Sequence, residues 1–285
     1  MRVVLISGCS SGFGALCART FSRAGDQVIA TMRKPAPQVF EAGDRIDVRP
    51  LDVTDPASIQ ACVASLVKDY GRIDVLINNA GIHLPGAIED MEEAEFRRVF
   101  ETNFFGAVNL SRAVLPAMHK QGAGRIICVS SIGAQVGRVM DGAYCASKAA
   151  LEIAFEALHF EVSRFGIKVS VVCPGAFRTG IGDKFQGAGA AEGDSPYRDL
   201  LAFRVAKVRE AVAGGGDPQE VAELIKKVAD DPAPQYRYVV GEKAVQLEKA
   251  LAGLSTGTSD EERRQLITQL AGIEWWQAGA RPPVE

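Results

Sequence analysis

Residues 3–6, Val-Val-Leu-Ile, make an apolar, largely β-branched run that ends at Ser7 and a glycine-rich turn. A strand without polar alternation is one buried on both faces, as in a parallel sheet covered by helices on each side. The next segment fits that arrangement. Gly8-Cys9-Ser10-Ser11-Gly12-Phe13-Gly14 leads into a helical spacing of Ala15, Leu16, Ala18 and Phe21 that stops at Gly25. A strand, a glycine loop and a helix together can hold a phosphate, because backbone N–H groups and the positive end of the helix dipole converge on the turn. The spacing is G-x-x-x-G-x-G rather than the common G-x-G-x-x-G, and taken alone it reads equally as a flexible turn.

The alternation continues down the chain. Strands are expected at Gln27–Thr31, Ile46–Leu51, Ile73–Ile77, Gly124–Ser131 and Ile167–Cys173. Between them, Asp55 as N-cap and Pro56 at the first helical position start a helix that reaches Tyr70 and stops at Gly71. Met91–Lys120 carries an apolar stripe through Phe96, Val99, Phe100, Phe104, Val108 and Leu110, interrupted by Asn103, and Tyr144–Phe165 is closed by Gly166. This order predicts an α/β fold, a doubly wound parallel sheet of about seven strands in the order 3-2-1-4-5-6-7.

We read residues 1–285 as a single domain: a cofactor-binding and catalytic core over 1–180, a substrate lid and helices over 181–235, and a last strand with C-terminal helices over 236–285. Gly182–Ser195, rich in Gly, Ala and Asp, suits a mobile lid. Amphipathic segments follow at 196–212 and 218–230, then a strand at Tyr236–Val240 and helices at 242–254 and 259–270. Trp275-Trp276 would pack on the body or on a partner subunit.

Composition narrows the function classes. A formal net charge of -3 with no long like-charge block gives no sign of a nucleic-acid partner. The six cysteines are scattered, with no C-x-x-C pair and no histidine at ligand spacing, so they read as reduced thiols of a cytoplasmic protein without a metal site. Ile6-Ser7-Gly8-Cys9 has the look of a lipoprotein cleavage box, but the apolar run before it is far shorter than a signal sequence needs. No stretch approaches the roughly 20 apolar residues of a membrane span.

The chemistry-bearing residues gather at strand ends. Tyr144 and Lys148, four apart on a helix, share one face, and a phenol beside an ammonium is a phenol whose anion is stabilised. Ser130 and Ser131, delivered by the preceding strand, add a hydroxyl, which makes a proton-transfer site for a carbonyl or an alcohol. The second strand ends Ala30-Thr31-Met32-Arg33-Lys34, with two cations where an acid would accept the ribose hydroxyls of NAD and repel a 2′-phosphate. Arg33 therefore favours NADP, with Ser10 and Ser11 able to add hydroxyls; otherwise Arg33-Lys34 is a solvated pair. Asp52 either receives the adenine amino group or is a turn aspartate. Asn78 and Asn79 fall on the ligand rim, or Asn78 braces neighbouring strands. Asn103 is a structural brace or part of a polar chain. His83 is either a loop histidine or a substrate contact.

Gly8-x-x-x-Gly12-x-Gly14, Asn78-Asn79-Ala80-Gly81, Asn103, Ser131, Tyr144-x-x-x-Lys148 and Pro174-Gly175 in this order resemble the short-chain dehydrogenase/reductase family over about residues 1–180. The wording around Asn-Asn-Ala-Gly and Phe155–Thr179 is most similar to its hydroxysteroid and retinol dehydrogenase-like branch. The resemblance implies a Rossmann fold with Tyr144 as acid/base, Lys148 as its partner, Ser131 as hydrogen-bond donor to the substrate, and Asn103 holding the water through which protons reach Lys148. Ser131 is selected over Ser130 because the family's serine precedes the tyrosine by about a dozen residues. It implies a cofactor bed of Gly8, Ser10, Ser11, Gly12, Phe13, Gly14, Arg33, Asp52, Val53, Asn79, Ala80, Gly81, Tyr144, Lys148, Pro174, Gly175, Phe177 and Thr179. Ser7 stands where the family usually has Thr, and Phe13 replaces the usual aliphatic residue.

The expected activity is interconversion of a carbonyl and a secondary or primary alcohol on a mostly apolar small molecule, with NADP(H) preferred over NAD(H). The substrate wall is expected at Ile82–Leu84, Ile132–Met140 and Phe177 onward. A non-catalytic NADPH-binding regulator is the alternative; such proteins tend to lose the tyrosine or lysine, and both are present. Extended-family epimerases are disfavoured by the glycine spacing. The long helices carrying Asn103 and Tyr144 are the pair such enzymes often use to form a homodimer or homotetramer, a contact that the long C-terminal tail could block or replace.

Overall fold

The computed structural model describes residues 1–41, 43–179, 195–253 and 259–282. The chain runs β1 (Val3–Ile6), α1 (Gly12–Arg23), β2 (Gln27–Met32), β3 (Ile46–Pro50), α2 (Pro56–Tyr70), β4 (Val75–Asn78), α3 (Glu93–Phe100), a π-helical turn (Glu101–Phe105), α4 (Gly106–Gln121), β5 (Gly124–Val129), α5 (Gly142–Ser163) and β6 (Ile167–Pro174). Beyond residue 195 come α6 (Arg198–Ala213), α7 (Pro218–Asp230), β7 (Arg237–Val240), α8 (Glu242–Ala252), α9 (Asp260–Ala271) and α10 (Glu274–Gln277).

The seven strands form one parallel sheet in the order β3-β2-β1-β4-β5-β6-β7, as expected from the alternation. The central strands bury both faces, and successive residues feed opposite cores. Val3, Leu5, Leu76, Ile126 and Cys128 pack with α2, α4 and α5 through Leu66, Leu110, Val114, Met118 and Phe155. Val4, Ile6, Val75, Ile77, Ile127 and Val129 pack with α1 and α7 through Cys17, Phe21, Val221, Ile225 and Val228. Each such side chain contributes roughly 1.5–3 kcal/mol on burial, so helices are required on both faces.

The sequence signals act where expected. Asp55 caps α2 by accepting from the Ala57 N–H at 2.9 Å, and Gly71 ends it in the left-handed conformation. The helix expected over Met91–Lys120 begins later, at Glu93, and is broken by the π turn around Asn103. One extra residue per turn shifts the register, so Asn103 is buried while Phe105 is partly exposed. The lid expected at Gly182–Ser195 lies outside the described residues except for Ser195, as does the end of the helix expected to reach Leu254. Trp275 and Trp276 sit in the short α10 and pack on the body: Trp275 meets Phe203 of α6 and Trp276 meets Tyr197. Among the described residues no helix is long and apolar enough to cross a membrane.

Candidate active site

The cleft opens where the strand order reverses, between the ends of β1 and β4. Ser7 ends β1, and its Oγ accepts from the backbone N–H groups of Asn79 and Ala80, both at 3.0 Å. Asn79 returns two bonds, its Nδ2 donating to the carbonyls of Ser7 (2.9 Å) and Gly8 (3.1 Å). The glycine loop is thus tied to the end of the neighbouring strand, and Asn79 does the tying. Gly8 has φ +74°, and a Cβ there would stand 2.8 Å from Ala80 Cα; one on Gly14 would stand 2.4 Å from the Gly8 carbonyl oxygen. Only glycine lets the loop fold this tightly.

The far wall is Pro174–Thr179. A Cβ on Gly12 would face Thr179 Cβ at 3.7 Å, so the strap after β6 lies across the loop. The ring of Phe177 does not line the substrate wall as expected. It is buried edge-on against Phe13, centroids 5.8 Å apart, and close to Gly216 and Gly241. Phe13, the departure from the family pattern, therefore supports the strap from beneath. Arg33 is exposed just past β2, and its charge reaches Asp52. The Asp52 carboxylate lies below its ordinary range because Thr54 donates to it from both its side chain and its backbone, with Arg33 adding to the effect. Asp52 is thus a turn aspartate by its bonds, within reach of the Arg33 charge. Ser10 and Ser11 are exposed at the loop's mouth, Val53 is buried against Gly106, and Gly81 and Gly175 line the strand ends.

α5 carries the reactive face. Tyr144 is half-buried and hydrogen-bonds Ser131; burial pushes its phenol up, with the Ser131 bond and the Arg138 charge acting against that rise. A raised phenol is protonated at neutral pH, which suits an acid. Ser131 Oγ also accepts from the Gly133 N–H at 3.1 Å. Ser130, next in the chain, turns the other way and donates to Glu152 at 2.6 Å. The Lys148 ammonium is buried and donates to the Val129 carbonyl at 2.8 Å, and burial pushes its pKa down to about 8.

Asn103 reaches the same place from the π turn. Its Oδ1 accepts from the Ile82 N–H (2.8 Å), and its Nδ2 donates to the Ile82 carbonyl (2.9 Å) and to Ser147 (3.0 Å). A Cβ on Gly81 would stand 3.3 Å from Asn103 Oδ1 and 3.6 Å from Lys148 Nζ, so both side chains flank that glycine. Asn78 braces, donating to Ser111 at 2.9 Å.

Two clusters escaped the sequence. Glu152, one turn beyond Lys148 and 6% exposed, receives Ser130, Gln135, Cys173 and Arg237, joining β5, β6 and β7 beneath the site. Asp141, one turn before Tyr144, is buried among His83, Arg138 and Arg204. His83, more simply read as a loop residue, packs its ring on Tyr144 with centroids 4.4 Å apart. The i, i+4 spacing of Lys148 and Glu152 was a visible signal for the first cluster; nothing local foretold Arg204. Among the described residues no group of side chains is arranged to hold a metal ion, and all six cysteines are free and buried.

Residues 2–188 match the family model described as short chain dehydrogenase. The chain is 38% identical over 240 residues to the 3-ketodihydrosphingosine reductase of Bacteroides thetaiotaomicron, covering 84% of this chain and 88% of that protein. It is 38% identical over 254 residues to retinol dehydrogenase 8 of Bos taurus, covering 83% of this chain and 80% of that one. A crystal structure of a short-chain dehydrogenase from Streptomyces avermitilis superposes with a TM-score of 0.75 at 38% identity, over 89% of this chain and 94% of that one.

Proposed function

The chain belongs to the short-chain dehydrogenase/reductase family, whose members interconvert carbonyls and alcohols with NAD(P), and from that premise we propose that it is an NADP(H)-dependent oxidoreductase acting on a mostly apolar small molecule. The observation that carries this reading is the convergence of Ser131, Tyr144 and Lys148 with the tight glycine loop in one cleft. The glycine loop fits a dinucleotide: Gly8 and Gly14 let it fold tightly against the end of β4, which leaves Ser10 and Ser11 exposed at its mouth, and the exposed Arg33 just past β2 would meet a 2′-phosphate.

The bound cofactor supplies or accepts a hydride. In the reducing direction the Tyr144 phenol gives its proton to the carbonyl oxygen as negative charge develops there, and Ser131 donates a hydrogen bond to the same atom. The Lys148 ammonium, kept beside the strand end by the Val129 carbonyl, would hold a ribose hydroxyl of the bound cofactor and return a proton to the phenol. Asn103 fixes the Ile82 backbone and Ser147, and so keeps the loop after β4 in register with α5. Ile132, Val136 and Leu84, all buried, give the substrate side its apolar character. Arg33 and the lack of an acid after β2 support NADP over NAD.

Ile153 and Phe160, each 70% exposed on α5, support a second copy of the chain covering that face, and the buried free thiols support a cytoplasmic setting. The test is a panel of ketones, aldehydes and alcohols with NADPH and NADH, run on the wild type and on Tyr144→Phe. Turnover with NADPH that falls by about 10²–10⁴ in Tyr144→Phe, with NADPH still bound, is expected. Tight NADPH binding without oxidation by any substrate would instead make the protein a cofactor-binding regulator.

A further inference from the structure

Tyr144 has different surroundings on its two sides along α5. One turn later stands Lys148; one turn earlier, at the N-cap, stands Asp141 with no exposed side-chain surface. Asp141 Oδ1 lies 2.8 Å from His83 Nε2, and its Oδ2 is shared by Arg204, which comes from α6, and by Arg138 at 3.2 Å. Burial would raise the Asp141 carboxyl, but Arg138, His83 and Arg204 outweigh it and hold it ionised. Met140 enters the cluster with φ 62°, in a left-handed conformation that a non-glycine residue rarely adopts. Such strain persists where the surroundings over-determine it, and it gathers at functional sites.

The cluster does not balance. Among the described residues two guanidinium groups face one carboxylate, and the ion pairs of both run to Asp141. Among the described residues the buried Nε–H groups of Arg138 and Arg204 have no acceptor. An unmade buried hydrogen bond is costly, and the two side chains, 28% and 15% exposed, still open toward solvent, where a ligand could reach them. The missing partner is an acceptor with a single negative charge; a dianion would over-neutralise the site. The cluster also borders the chemistry. A Cβ placed on Gly133 would meet Arg138 Nη2 at 3.0 Å and Ser131 Oγ at 3.4 Å, so the guanidinium and the catalytic hydroxyl share one wall, while His83 covers the Tyr144 ring.

We propose that Arg138 and Arg204 form a carboxylate subsite, and that the substrate is a hydroxy or oxo acid whose carboxylate lies a few bonds from the reacting carbon and whose remainder is apolar. This rests on the oxidoreductase reading and sharpens it. A guanidinium Nε–H and Nη–H pair matches the two oxygens of a carboxylate, Asp141 orients both forks, and the apolar wall takes the chain. A cationic amine at the same position is repelled.

Octanoate and octanamide, alike in shape and different in charge, are titrated into NADPH-saturated protein by calorimetry. Octanoate is expected to bind at least tenfold more tightly, Arg204→Gln to remove that difference, and Arg204→Lys to keep part of it. In parallel, the ratio of kcat/KM for 3-hydroxyoctanoate to that for its amide, with NADP⁺, is expected to exceed ten and to fall at least tenfold in Arg204→Gln. Equal binding of the two probes by the wild type overturns the proposal whether or not the variant folds, as does full preference surviving in Arg204→Gln. Equal turnover of acid and amide overturns the subsite and leaves the oxidoreductase reading standing. Octanoate preference without turnover of any alcohol keeps the subsite and overturns that reading.

Discussion

The imidazole of His83 lies on the phenol ring of Tyr144, centroids 4.4 Å apart and planes inclined by 39°, while its Nε2 is 2.8 Å from Asp141. One face of the Tyr144 ring is thereby held by a side chain that is itself anchored at the helix N-cap. His83→Ala removes the packing and leaves Asp141 Oδ1 without its partner. A misplaced phenol costs rate more than binding, so kcat is expected to fall by about tenfold to a hundredfold with little change in KM for NADPH. His83→Phe, which keeps a ring against Tyr144, should recover part of the loss. Steady-state kinetics on both variants decide this; an equal rise in KM with kcat intact would give His83 a binding role instead.

Lys148 predicts a pH dependence of stability. Burial holds its pKa at about 8, below the 10.5 of an unperturbed lysine. Between those values the unfolded chain binds more protons than the native one, so stability rises with pH through that window. Below pH 8 the lysine is charged in both states and the cost of burying it is fully present. Relative to Lys148→Met, the wild type should gain on the order of 3 kcal/mol between pH 8 and 10.5. Urea unfolding of both proteins across that range measures it, and parallel pH profiles would refute it.

Arg33 is expected to set cofactor choice. A charge-assisted bond to a 2′-phosphate contributes about 1.5–3 kcal/mol. Arg33→Ala should lower the NADPH-to-NADH ratio of kcat/KM by roughly tenfold to a hundredfold. An unchanged ratio would mean that Arg33 and Lys34 are simply solvated.

Gly14→Ala tests the loop. Its methyl group would stand 2.4 Å from the Gly8 oxygen and 2.6 Å from Asn79 Nδ2, so the bond that ties the loop to β4 must give way. The variant should lose about 1–3 kcal/mol of stability and bind NADPH at least tenfold more weakly by fluorescence titration. Wild-type affinity would show that the loop can relax without harm.

Much of the fold was legible from local pattern. Apolar runs that fill both faces marked β1, β4, β5 and β6, and Asp55-Pro56 and Gly71 marked both ends of α2. The π turn was not legible, because the apolar stripe is interrupted only at Asn103 and resumes at Phe104, as it would in an unbroken α-helix. Phe177 was misplaced for a related reason: an aromatic after a Pro-Gly turn looks like a pocket residue until the room beside Gly216 and Gly241 is seen.

Tyr144 and Lys148 could be paired from the chain because four residues make about one helical turn, whereas Ser131 was chosen over Ser130 through the family resemblance. Strand order followed likewise, since parallel strands joined by helices have few ways to wind. The partners of Asp141 were decided only by the tertiary structure: His83 follows β4, Arg138 sits in the loop before α5, and Arg204 arrives from α6, 63 residues beyond Asp141. Charge is attracted through space and not along the chain, so no periodicity records such a meeting. It exists because the packing of α6 carries a guanidinium to the buried carboxylate at the N-cap position of α5.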